Sequence, residues 1–137
     1  MIVKAIEKAF RVAKERQWEV SYWAFDIHET IIKPNWQAGN IPTEFYPGAV
    51  EALRLIGQRT DIKMILYTCS HPHEIEKYLA HFDRHGIQFD YVNENPEVNN
   101  SHYGCYDRKP YFNVLFEDKA GFDANEDWQV VINLMIS

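Results

Sequence analysis

The run Val20-Ser21-Tyr22-Trp23-Ala24-Phe25 has almost no polar side. A strand with one wet face alternates apolar and polar residues; a strand buried in the middle of a sheet is apolar on both faces. This run reads as such a central strand, and the rest of the chain must cover it. Ile2, Ala5, Ile6, Ala9, Phe10 and Ala13 recur at three- and four-residue spacing, so residues 1–17 read as an amphipathic helix. Ile62–Tyr67 reads as a second strand, Gln88–Val92 as a weaker third and Asn113–Phe116 as a fourth. Between them, a helix is expected from Pro47, where a missing N–H costs nothing, and another from Pro72 to His85, stopped by Gly86. Asp127 onward is expected to close the chain with a helix. Strands alternating with helices of this length imply parallel βαβ units: a three-layer, Rossmann-like α/β fold with a mainly parallel central sheet.

Length limits the architecture to one domain, residues 1–137, with residues 31–46 as a flap rich in Pro, Gly and Asn. Apolar residues make up 46% of the chain, enough for a core, so a disordered chain is excluded. No apolar run approaches the roughly 20 residues of a membrane-spanning helix. The first 17 residues mix charge with apolar groups, unlike a secretory signal. Two cysteines, Cys69 and Cys105, are too few for a disulfide scaffold and fit a reducing, cytoplasmic setting. The formal charge of −6 argues against a nucleic-acid or anionic-membrane partner, which needs a basic field. It leaves open one phosphate at one built site.

In an open parallel sheet, ligands sit beyond the carboxyl ends of the strands. The residues at those ends carry chemistry. Asp26-Ile27-His28-Glu29-Thr30 follows the first strand, Thr68-Cys69-Ser70-His71 the second, and Glu117-Asp118-Lys119 the fourth; Arg108-Lys109-Pro110 ends the long polar stretch before it. Converging carboxylates make a hard-cation site of the Mg²⁺ type. Thr68 and a helix N-terminus suit phosphoryl oxygens, and lysine supplies a point charge to them. A carboxylate in line with phosphorus can attack it. The inventory fits phosphoryl transfer on a phosphorylated substrate, small or macromolecular.

An apolar strand ending in D-x-x-x-T, a second ending in Thr, then Lys, then a strand ending in an acidic pair resembles the haloacid dehalogenase superfamily. The Tyr111–Lys119 stretch is also similar to that of small bacterial and phage members of the superfamily. The resemblance implies a Mg²⁺-dependent phosphohydrolase with no cap domain. It implies Asp26 as nucleophile, forming an aspartyl-phosphate, with Thr68 and Lys109 on the phosphoryl group. Mg²⁺ would take Asp26, the backbone carbonyl of His28 and Asp118, with Glu117 or Asp123 completing the shell. Thr30 would brace the nucleophile loop.

One position departs from the superfamily pattern. Its phosphatases carry a second Asp two residues after the nucleophile as general acid and base; His28 stands there. Imidazole titrates near neutrality and can move protons, but differs from Asp in size, reach and charge beside a cation. The alternative is therefore a phosphate- and metal-binding regulatory module without useful turnover. A response-regulator receiver also uses Asp, Thr, Lys and Mg²⁺, but its acidic pair ends the first strand, whereas here it comes last.

Other residues have simpler expectations. His81 and His85 share a helix face, but with no third ligand nearby they read as a solvated face rather than a zinc site. Cys69 reads as a small packed group rather than a nucleophile. His71 lies at the same rim and can contact substrate; Trp36, in the flap, is the tryptophan expected to meet it.

Overall fold

The computed structural model describes all 137 residues. Four strands, β1 (Ser21–Phe25), β2 (Ile62–Leu66), β3 (Tyr91–Val92) and β4 (Val114–Phe116), form one all-parallel sheet in the order β3-β2-β1-β4. The helices are α1 (Ile2–Glu15), α2 (Ala49–Gly57), α3 (Pro72–Arg84) and α4 (Asp127–Ile136). The architecture is α/β and Rossmann-like, as the alternating pattern requires. β1 is central, and Trp23, Ala24 and Phe25 are fully buried.

Running from β1 to β2 to β3 always moves the same way across the sheet. Right-handed crossovers then place α2 and α3 on the same face. The aromatic contacts agree. Phe10 of α1 meets Trp23 at 5.7 Å, Trp128 of α4 stacks on Phe116 at 5.7 Å, and Phe82 of α3 reaches Phe25 through Phe89. The return from β3 to β4 crosses the opposite face without a helix, through residues 93–112. Tyr111 packs edge-on against Tyr22, and Phe112 against Tyr67. Glu97 accepts the hydroxyls of Tyr22 and Tyr91. The third layer is thus an aromatic-rich irregular segment.

The edge strands are shorter than expected, and side chains explain why. Asp90 accepts the Met64 N–H at 2.7 Å through its carboxylate, and Asn113 accepts the Tyr22 N–H at 2.7 Å through its amide oxygen. Each side chain stands in for a ladder carbonyl, so regular pairing begins one residue later. The helix expected from Pro47 begins instead at Ala49. Gly48 takes φ 80° and lies under α4, where a Cβ would meet Trp128 and Ile132 at 3.3 Å. Only glycine satisfies both the left-handed turn and that close approach. α3 starts at Pro72 as expected, and the backbone N–H of His71 donates to the Glu74 carboxylate at 3.2 Å.

Residues 31–46 fold back as a hairpin-like flap. Ile32 and Phe45 are bridged antiparallel, the Lys33 N–H donates to the Glu44 carbonyl at 2.8 Å, and the two side chains form an ion pair at 2.9 Å. His81 and His85 hold this flap, which corrects the expectation of a solvated face. His81 is buried, donates Nε2–H to the Thr43 carbonyl at 2.8 Å and stacks on Phe45 at 4.9 Å, with His85 edge-on to the same ring. Burial lowers the His81 pKa, consistent with a neutral ring. No helix is long and apolar enough to cross a membrane.

Candidate active site

Sheet order places Asp26, Thr68 and the Glu117–Asp118 pair side by side, because β1 lies between β2 and β4. The Asp26 N–H extends the ladder to the Phe116 carbonyl at 3.0 Å, and the Tyr67 N–H reaches the Phe25 carbonyl at 2.8 Å. Both flanking strands are therefore in register where the side chains leave the sheet. A cleft of about 430 Å³ opens there, lined by Asp26, His28, Thr68, His71, Asp118 and Lys119 among others.

Carboxylate oxygens of Asp26, Glu117 and Asp118 lie within 4.8 Å of one another. Burial pushes the Asp26 carboxyl up to about 6; the Ile27 backbone N–H opposes this, Glu117 and Asp118 add to it, and Lys119 opposes it again. Glu117 is raised too, first by burial and then by Asp118. Three crowded, partly desolvated carboxylates are unfavourable alone. All their ligand atoms are hard oxygens, the donor set Mg²⁺ prefers, so the residues present fit that ion. Glu117 joins this group. Asp123 does not: it is exposed, accepts the Asn125 N–H at 3.0 Å and caps the turn into α4.

The loop after Asp26 is held from inside. The Ile27 carbonyl accepts N–H groups from Ile31 at 2.8 Å and Ile32 at 3.0 Å, and all three isoleucines are buried. Thr30 does brace the loop, but through its backbone. Its carbonyl accepts the Trp128 indole N–H at 2.7 Å, while its buried Oγ1 has no partner. An unsatisfied buried hydroxyl costs about 1–3 kcal/mol. Thr30→Val keeps the shape and removes that cost, so it is expected to raise the thermal midpoint by a few degrees. A lower midpoint would show that the hydroxyl has a partner after all.

Thr68 is clamped by Asn93, a residue the strand-end motifs do not single out. The Thr68 N–H donates to Asn93 Oδ1 at 2.8 Å, and Asn93 Nδ2 donates to the Thr68 carbonyl at 2.9 Å. Asn93 itself has φ 55°, which Asn tolerates better than most residues. The Thr68 hydroxyl meets Ser70 Oγ at 2.9 Å on the cleft wall.

His28 lies in the cleft with Nε2 2.5 Å from the Tyr78 hydroxyl. Burial pushes the Tyr78 phenol up to about 12, so it stays a donor; it has no other bond. Where the phenol donates, Nε2 accepts and the ring proton sits on Nδ1. Burial also lowers the His28 pKa.

Of the two lysines, Lys119 lines the cleft and lowers the Asp26 pKa. Lys109 is exposed on the 93–112 segment and is not among the lining residues. The signal for Lys119 was its place directly after the acidic pair. Cys69 is exposed on the cleft wall rather than packed, and the side chain of Trp36 reaches the cleft from the flap.

No protein-family model and no curated protein matches the chain. A solved structure of a conserved protein coded by a locus from Bacteroides thetaiotaomicron is similar at 20% identity. It superposes with a TM-score of 0.64 over 85% of this chain and 90% of the other. That similarity supports the fold.

Proposed function

We propose that this chain is a Mg²⁺-dependent phosphohydrolase of the haloacid dehalogenase type, without a cap, that forms an aspartyl-phosphate on Asp26. The observation that carries the reading is the meeting of Asp26, Glu117 and Asp118 within 4.8 Å at the strand ends, beside Thr68 and Lys119. Asp26, Asp118 and the His28 carbonyl would hold Mg²⁺, with Glu117 beside them. The ion supplies charge neutralisation for the phosphoryl group when bound.

The chain's own groups then divide the work. Asp26 attacks phosphorus, and the leaving oxygen departs with its electron pair. Thr68 donates its hydroxyl to a phosphoryl oxygen, on a backbone that Asn93 keeps from shifting. Lys119 offers the nearby positive charge, the part the resemblance assigned to Lys109. His71, at the N-terminus of α3 on the cleft wall, is the further substrate contact.

The Tyr78 bond favours a second reading for the hydrolysis step. With Nε2 engaged by Tyr78 and its pKa lowered by burial, His28 is a weaker proton acceptor than a free imidazole, so the same rim would bind phosphate and metal with slow turnover or none. Magnesium-dependent release of phosphate from p-nitrophenyl phosphate tests the enzyme reading. His28→Asp separates the two. Restoring a carboxylate general acid and base is worth about 10²–10⁴-fold in rate, so release is expected to rise by at least about tenfold. A fall would show that His28 itself moves the proton.

A further inference from the structure

The cleft does not end at the phosphate-sized rim. Trp36 and Glu74 form a shared wall between it and a second cavity of about 250 Å³. That cavity shares Gln37, Asn40 and Lys77 with a third, of about 550 Å³, that runs under the flap. Three adjacent cavities thus lie in sequence from the carboxylates, past an indole, to a hollow lined by amide side chains.

Trp36 is the most exposed tryptophan, at 53%. Its ring lies against His28, with centroids 5.2 Å apart and planes tilted by 37°, and about half of the residue is open to solvent. The flap that carries it is pinned. Asn35 Nδ2 donates to Glu44 at 3.2 Å, Lys33 pairs with Glu44, and His81 ties Thr43 to α3. An exposed aromatic ring on a pinned flap, lining two adjacent cavities, is a stacking platform.

The chamber beyond it is chemically distinctive. Gln37 and Asn40 each offer a paired donor and acceptor, and Lys77 and His73 add donors. Amide pairs match the donor–acceptor edges of a nucleobase, as they do wherever Asn and Gln read bases. An aliphatic or purely anionic leaving group would use neither the indole nor the amides. The chain's charge of −6 disfavours a polynucleotide.

We infer that the flap builds a base-binding subsite, with the base stacked on Trp36 and its edge toward Gln37 and Asn40, so that the substrate class is a nucleoside monophosphate. This rests on the phosphohydrolase reading for the fate of the phosphate, but the subsite itself is a binding claim. Calorimetry on Asp26→Asn protein in magnesium, with adenosine monophosphate and ribose 5-phosphate as probes, isolates the base. The nucleotide is expected to bind at least about tenfold more tightly, the gain from one stacked base. Trp36→Leu erases that ratio and Trp36→Phe keeps most of it. Equal affinity for the two probes, or a ratio that survives Trp36→Leu, overturns the subsite. Failure of the phosphohydrolase reading is seen separately, as no magnesium-dependent phosphate release by the wild type. Adenosine alone then still reports the subsite through the same dependence on Trp36.

Discussion

Asp26→Asn protein is expected to release phosphate from p-nitrophenyl phosphate at less than about one-thousandth of the wild-type rate, since an amide cannot replace the attacking carboxylate. The fold should survive the change, and in the absence of metal should gain from it. The folded-state pKa of Asp26, about 6, lies above the ordinary aspartate value because the group is buried beside Glu117 and Asp118. A carboxylate shifted this way weakens the folded state as pH rises through 6, and has no such effect below the unfolded value. At pH 7 the asparagine removes that cost. Thermal melts in chelator should therefore place the variant at or above the wild type while turnover collapses. Unchanged phosphate release would remove Asp26 from the chemistry, and with it the assignment. Lost turnover together with a lower melt would mean that Asp26 is part of the scaffold.

The second large effect concerns stability. Trp128 is fully buried, stacks on Phe116 at 5.7 Å with planes only 2° apart, meets Phe122 edge-on at 4.7 Å and donates to the Thr30 carbonyl. Trp128→Ala removes all four contributions and should cost about 3–5 kcal/mol in urea denaturation. That is a large part of the roughly 5–15 kcal/mol that holds a typical domain together. Trp128→Phe is the informative companion. It keeps the stacking and loses the hydrogen bond, so the Thr30 carbonyl is left buried and unpaired, at about 1–3 kcal/mol. Its turnover should fall at temperatures where it remains folded, because the loop carrying Asp26 and His28 has lost its tether. Wild-type turnover in Trp128→Phe would show that the tether serves stability alone.

Much of the site was legible because it sits where chain direction changes. Strand ends are local events: an apolar run stops and a polar residue follows. Asp26, Thr68 and Glu117–Asp118 were found this way, and parallel topology then brings them together without further information. Residues that act across the sheet leave no such mark. Nothing around Asn93 announces that it clamps Thr68, since the two meet only because β3 lies beside β2. The Tyr78 hydroxyl matters because His28 lies 50 positions earlier in the chain and meets it in space, a contact no local pattern marks. His81 and His85 were misjudged for the same reason. A helical face reads as solvated until the flap that covers it is known. The lysine assignment followed motif order, and order cannot tell Lys109, on the irregular third layer, from Lys119, one step past the acidic pair.

The bond from Trp128 to Thr30 spans 98 residues of sequence. During synthesis, Asp26 and His28 leave the ribosome well before the residue that fastens their loop. The growing chain can pair β1 with β2 early, yet the loop carrying Asp26 lacks that bond, and β4 with its acidic pair has still to arrive. The candidate site is thereby complete only once α4 has been made and docked. A nascent or prematurely terminated chain would carry Asp26 without the bond that fastens its loop.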